Sequence, residues 1–234
     1  PTRIIQRKGI EFAIELVKEL NNSHNKLVVS HEAGDEGFEY AEWLKEYACE
    51  HDVDLRLVSI QVLDPWSENG NHGAKYTLWD VYPYADFITY PSLYEGFGNA
   101  FLEAIYFKKP ILINRYATFV RDIEPQGFDL VVMDGFLSKQ TVQNVVDILS
   151  SSKRRKKMVK SNYAIAARHY SYQVLRNQLS SIMQSFFGDD FEQLTPQDRP
   201  AKSKAYLYIN SHQVMYKHFD SRHCAPKAPK KLRA

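Results

Sequence analysis

Residues 86–114 read DFITYPSLYEGFGNAFLEAIYFKKPILIN. A short apolar run, DFITYPS, gives way to a turn, EGFG. A stretch with helical apolar spacing follows, NAFLEAIYF, and then a second apolar run, PILIN. A strand, a helix and a strand in that order, joined by short turns, form a crossover between two parallel strands. Parallel strands need cover on both faces, so this segment constrains the whole chain to an α/β architecture. The rest of the sequence repeats the alternation. Apolar residues Ile10, Ala13, Ile14, Val17 and Leu20 have helical spacing, which Asn21-Asn22 ends. KLVVSH (26–31) and DLRLVS (54–59) predict strands, with a helix over 38–51 between them. YTLWDVYPYA (76–85) predicts a short helix broken near Pro83. Residues 116–124 predict a helix and 129–134 a strand. Helices then fill 138–150, 153–168 and 171–187. The expected fold is a Rossmann-like, doubly wound parallel sheet with right-handed crossovers. Ligands of such sheets sit at the carboxyl ends of the strands, where EGFG lies.

The 234 residues suffice for one good-sized core, with residues 1–187 as the expected domain and 188–234 as a polar, proline-bearing, partly disordered extension. The segment 205–219 within it is equally compatible with a strand pair or a helix. No apolar run approaches the ~20 residues of a membrane span, and no signal peptide is visible. Cys49 and Cys224 are too few and too far apart for a disulfide framework. These features fit a cytoplasmic setting. The formal net charge of +2 gives no case for nucleic acid as a partner. The chain opens on proline with no initiator methionine, as a fragment or a processed chain would.

The turn carries the chemistry. Asn99 is the expected N-cap of the helix, and Glu103 lies one turn in on the same side. The amides of Gly98, Asn99 and Ala100 would leave the helix N-terminus as free donors with a partial positive charge, suited to phosphate. Glycines at 96 and 98 allow close approach to the backbone. Carboxylates at Glu95 and Glu103 suit hydroxyl groups instead, because they accept hydrogen bonds from diols. Polyhydroxy groups on either side of an anionic centre describe a nucleotide sugar. Two glutamates at this spacing also occur by chance, and glycine-rich βα turns are common in this fold class without a ligand.

Taken together, the Pro-Ser strand end, EGFGNAFLEA, KPILIN and the amino-terminal TRIIQRKGIEFAIEL resemble the carboxyl-terminal domain of retaining glycosyltransferases of family 4, which have the two-domain GT-B fold. The resemblance covers roughly residues 1–185. It implies that Glu95 and Glu103 form the family's Glu-x7-Glu pair, and that Arg3 and Lys8 neutralise the donor diphosphate and stabilise the leaving nucleotide. By the same resemblance Glu95 holds donor sugar hydroxyls near the anomeric carbon, and Glu103 binds the ribose. Gly96, Phe97, Gly98 and Asn99 offer backbone donors, with Phe97 equally readable as a packing residue. Arg3, Lys8 and Glu95 are thus the expected catalytic residues. No metal or cofactor is expected beyond the nucleoside diphosphate sugar itself, since two cations and a helix end take the metal's place. The reaction would retain anomeric configuration, moving the sugar to an acceptor hydroxyl.

The family's acceptor site lies on an amino-terminal domain that this chain does not contain, so the chain alone is expected to transfer no sugar. A non-catalytic nucleotide-sugar binding module is the alternative. The sequence departs from the family at Asn114-Arg115-Tyr116, where Arg115 would either add a phosphate contact or pair with a surface acid. Val62–Pro65 falls where the family contacts the base. The basic run 153–157, KRRKK, reads as a solvated helix face, with attraction to a membrane surface as the weaker alternative. His218, His223 and Cys224 lack the tight second pair of a metal site, and His72 reads as a solvent residue.

Overall fold

A computed structural model describes residues 2–31, 38–58, 62–63 and 76–188 of the chain. It divides into two compact units, Pro1–Ser171 and Tyr172–Ala234. The expected base-contacting residues 64–65, His72, the segment 205–219, His218, His223 and Cys224 lie outside the described residues.

In the first unit, a 3-10 turn (Gln6–Lys8) leads into α1 (Ile10–Glu19). β1 (Lys26–Val29), α2 (Phe38–Glu50) and β2 (Asp54–Leu57) follow. β3 (Val62–Leu63) and β4 (Tyr76–Thr77) pair in parallel, so the expected helix over 76–85 begins only after a two-residue strand. It is α3 (Leu78–Val81), continued as a 3-10 turn over Tyr82–Tyr84 at Pro83. Then come β5 (Ile88–Tyr90), α4 (Asn99–Tyr106), β6 (Ile111–Asn114), a π-helical turn (Phe119–Ile123), β7 (Val131–Met133), α5 (Lys139–Ser150) and α6 (Ser152–Tyr170). The π turn tightens to 3-10 over Glu124–Gln126, where Pro125 lacks the N–H to continue it.

Every described strand pair is parallel. β1 pairs with β2, and β5, β6 and β7 pair in that order. β6 shows why helices must cover both faces. All four of its residues are buried. Ile111 and Ile113 point to one side, into a core with Phe101, Ala104 and Ile105 of α4 and with Phe119 and Ile123. Leu112 points to the other, against Leu16 of α1, Val145 and Ile148 of α5 and Met158 of α6. This is the period of two expected of a strand buried on both faces. α1 joins the halves of the unit: Ile10, Ala13 and Ile14 pack with β1 and α2, while Leu16 packs on the β6–β7 side.

Caps set the helix ends. Ser138 Oγ accepts from Thr141 N at 3.1 Å, and Ser151 Oγ accepts from Arg154 N at 3.2 Å. The basic run is partly structural. Arg154 Nη2 donates to Asp129 Oδ1 at 2.7 Å, and Arg155 Nη1 donates to the Ile148 and Leu149 carbonyls at the end of α5. Lys153, Lys156 and Lys157 remain exposed. No described helix is long and apolar enough to cross a membrane. The second unit contributes α7 (Tyr172–Phe187), which exposes Leu175, Leu179, Ile182 and Phe186.

Candidate functional site

The register of the sheet builds the site. Tyr90 pairs with Ile113, and Asn114 pairs with Met133, so the segments that leave β5, β6 and β7 emerge side by side. Asn114, 4% exposed, ties them together. Its Nδ2 donates to the Ser92 carbonyl at 3.1 Å, and its Oδ1 accepts from Gly135 N at 2.9 Å.

The amino-terminal turn docks on the same edge. Leu93 N donates to the Arg7 carbonyl at 2.8 Å. Gly9 adopts a left-handed conformation (φ 60°), and a Cβ there would lie 2.6 Å from the Pro91 carbonyl oxygen. That close approach delivers Lys8. Its Nζ is ion-paired with Glu95 Oε1, in a pair whose side chains are only 12% and 9% exposed. Arg7 joins from the rim, its Nη1 3.4 Å from Glu95 Oε2 and 3.1 Å from the Tyr94 carbonyl. Burial pushes the Glu95 pKa up, but hydrogen bonds from Lys8 and Ser92 and the Lys8 charge outweigh it, and the net shift is downward. Glu95 is therefore held ionised.

Of the two expected cations, the structure brings Lys8 to Glu95 and leaves Arg3 exposed, with no side-chain hydrogen bond or ion pair to a described residue. Arg7, which sequence reasoning missed, is the second cation at the carboxylate. Its only signal was its place in the Gln6-Arg7-Lys8-Gly9 run, beside a residue already singled out.

The EGFG turn is fastened by its carbonyls. Thr118 Oγ1 donates to the Glu95 carbonyl at 3.1 Å, and the Tyr116 hydroxyl donates to the Phe97 carbonyl at 2.9 Å. In a trans peptide the C=O and the next N–H point in opposite directions. Carbonyls of 95 and 97 bound inward therefore turn the N–H groups of Gly96 and Gly98 outward, and no acceptor among the described residues takes them. Phe97 itself packs, its ring edge-on to Tyr170 at 5.1 Å. Gly98 is the residue that precedes α4 (φ 96°), with no side-chain cap. Asn99 is thus the first helical residue, not the N-cap. The reason is steric, because a Cβ at 98 would lie 2.4 Å from the Tyr90 hydroxyl. With no side-chain cap, the first amides of α4 are left for other acceptors.

Glu103 lies in the second turn of α4, about 6 Å further along its axis than Asn99. It is half-buried, and its Oε2 accepts from the Tyr82 hydroxyl at 2.7 Å. Arg115 does not reach into this site. It forms a two-pronged pair with Glu124 (3.1 and 3.0 Å) and bonds Asp134 at 3.1 Å, so of its two readings the surface-acid pairing holds. No group of three or more potential metal ligands occurs among the described residues.

The site therefore offers two cations on a buried carboxylate, outward amides at a helix start, and a second carboxylate further along the helix. The chain is 40% identical over 150 residues to a mannosylglucosylglycerate synthase of Petrotoga mobilis, covering 56% of this chain and 34% of that protein. It is 30% identical over 207 residues to a mannosylglucosylglycerate synthase of Thermotoga maritima, covering 76% of this chain and 46% of that protein. The chain thus spans less than half the length of these relatives. Among solved structures, Anabaena HepE in complex with UDP aligns with a TM-score of 0.65 at 13% identity, over 79% of this chain and 47% of that one. The carboxyl-terminal domain of the Francisella tularensis glycosyl transferase group 1 family protein LpcC aligns with a TM-score of 0.55 at 20% identity, over 73% of this chain and 83% of that one. Residues 70–164, which include Glu95 and Glu103, match the family model described as glycosyl transferases group 1. Over residues 70–164 the chain is thus similar to the glycosyl transferases of group 1, and its α/β fold is that of GT-B glycosyltransferases.

Proposed function

We propose that the chain is the donor-binding, carboxyl-terminal half of a retaining glycosyltransferase, which moves a sugar from a nucleoside diphosphate sugar to an acceptor hydroxyl. One observation carries the reading: Lys8 and Arg7 converge on Glu95 beside the outward amides of Gly96 and Gly98. A diphosphate entering there would draw Lys8 from Glu95 and accept from the amides, leaving the carboxylate free to accept from the donor sugar. Glu103 would accept from the ribose hydroxyls. Arg3, exposed upstream of this turn, is the further cation for the phosphates. HepE is seen in complex with UDP and with UDP-glucose, which supports the same ligand class here. The likeness to a carboxyl-terminal domain supports the placement within a longer protein.

In the proposed transfer the acceptor oxygen attacks the anomeric carbon on the face that the leaving phosphate departs from. The bond from carbon to phosphate oxygen breaks, and the acceptor's proton passes to that oxygen. Lys8 and the cations beside it stabilise the charge that develops on the diphosphate, a task that a divalent ion performs elsewhere. Transfer without added metal follows from this. The names of the two relatives make a glycosylated glycerate the first acceptor class to try.

Calorimetry tests the division of labour, using UDP, GDP and ADP with and without glucose or mannose attached. Glu103→Ala is expected to weaken every nucleotide, and Glu95→Ala chiefly the sugar-bearing forms, each lost charge-assisted hydrogen bond costing ~1.5–3 kcal/mol. Equal losses on the bare diphosphonucleotide in both variants would refute the assignment.

A further inference from the structure

A buried phenol hydroxyl needs an acceptor, and the one that Tyr82 finds is a glutamate of the proposed donor site. Tyr82 is 2% exposed, in the turn that follows α3. Its hydroxyl donates to Glu103 Oε2 at 2.7 Å. The ring is held on several sides. It stacks on Phe107 with centroids 4.7 Å apart and planes 7° apart, and Trp79 meets Phe107 edge-on at 5.3 Å. The turn is pinned as well, because Lys109 Nζ donates to the Pro83 carbonyl at 2.7 Å. Phe107 N donates in turn to the Glu103 carbonyl at 3.0 Å, so stack and carboxylate are anchored to one turn of helix. Burial first, and then the negative charge of Glu103, push the Tyr82 pKa upward, so the phenol stays a donor throughout the neutral range.

An ionised carboxylate offers about four lone-pair positions. Tyr82 occupies one, and no other donor among the described residues reaches the Glu103 carboxylate. A half-exposed glutamate would otherwise sample several rotamers, and ordering it at the moment of binding would cost affinity. We propose that Tyr82 is a positioning residue of the donor site: it locks the Glu103 carboxylate in the orientation that accepts the two ribose hydroxyls of a nucleoside diphosphate. The proposal rests on the donor-site reading above and adds the residue that pre-organises it.

The test is calorimetry on the 234-residue chain with UDP and GDP, each beside its 2′,3′-dideoxy counterpart. Wild type is expected to prefer a ribose form. Tyr82→Phe keeps the ring and its stack; it is expected to bind that ribose form about tenfold more weakly and the dideoxy form unchanged. In a Glu103→Ala background Tyr82→Phe is expected to change neither. Phe107→Leu keeps the phenol but loosens it. It should give a smaller loss confined to the ribose form, and it reads the same linkage if Tyr82→Phe does not fold. Equal losses on both forms, or no loss on the ribose form, would overturn the positioning role and leave Tyr82 a packing residue. A wild-type chain that binds ribose and dideoxy forms equally, or binds neither, would instead overturn the ribose role of Glu103, and the proposal with it.

Discussion

Gly98 and Gly96 lie two residues apart in one turn, and the structure predicts opposite consequences for adding a methyl group to each. At Gly98 the new Cβ would meet Tyr90 Oη at 2.4 Å, Cζ at 3.0 Å and Cε1 at 3.2 Å, on a backbone with φ of 96°. Tyr90 is 4% exposed and packs against Tyr116, so it has little room to retreat. The left-handed backbone costs about 1–2 kcal/mol for a non-glycine residue, and overpacking adds about 1–3 kcal/mol. Gly98→Ala should therefore destabilise by roughly 2–5 kcal/mol. The clash can be separated from the backbone term, because Tyr90→Phe removes the nearest atom and leaves φ untouched. In a cycle of urea unfolding curves, Tyr90→Phe should recover about 1–2 kcal/mol of the Gly98→Ala loss, with the remainder persisting. At Gly96, by contrast, a Cβ meets nothing within 4 Å. Gly96→Ala should leave stability within about 0.5 kcal/mol of wild type, yet weaken the nucleotide sugar, because the methyl would project where the ligand approaches. Additive Gly98→Ala and Tyr90→Phe effects would refute the steric account of the turn. A Gly96→Ala variant that binds normally would refute the claim that the ligand approaches there.

Three more predictions follow from the same contacts. The lowered pKa of Glu95 means that the unfolded carboxyl, at its ordinary 4.5, takes up a proton before the folded one does. The Glu95 contribution is thus fully present above that value and is lost as pH falls below it and through the folded pKa. Urea midpoints against pH should fall more steeply there for wild type than for Glu95→Gln, and parallel curves would refute the ion pair. Asn162, 1% exposed, clamps Asp129 with Oδ1 accepting its N–H at 2.8 Å and Nδ2 donating to its carbonyl at 2.7 Å. Asn162→Ala leaves both groups unpaired and should cost about 2–4 kcal/mol in denaturant unfolding, a loss under 1 kcal/mol being incompatible with the clamp. Tyr116→Phe frees the Phe97 carbonyl and should weaken nucleotide binding several-fold while shifting stability by about 1 kcal/mol; unchanged affinity would mean that the outward amide of Gly98 is not a ligand contact.

What the sequence made legible follows from local rules. α4 is expected over 99–107 and observed over Asn99–Tyr106, and β6, expected over 110–114, is Ile111–Asn114. Both are set by apolar spacing and by turn residues within a few positions. The Lys8–Glu95 meeting was readable only through the family resemblance, since 87 residues separate the partners. The N-cap at Gly98 was missed because propensity favours asparagine there, whereas the deciding contact comes from Tyr90 on the neighbouring strand. Tyr116 was noted only as a departure from the family pattern, and it supplies the hydroxyl that turns the Phe97 peptide.

Those misses share one cause, and it lies in the sheet. Spacing along a strand says which face a residue takes, but not which residue of the next strand stands beside it. The pairing of Tyr90 with Ile113 is what sets the end of β5 next to the residues after β6, and so lets Asn114 reach Ser92, Thr118 reach Glu95 and Tyr116 reach Phe97. A shift of one residue in that pairing would turn Ile111 and Ile113 to the α5 side and separate all three contacts, at the cost of the α4 core. The apolar core of β6 thus fixes the register, and the register aims the amides of the EGFG turn. Core substitutions at Ile113 should therefore reach nucleotide affinity as well as stability, although Ile113 is fully buried and makes no polar contact with the turn.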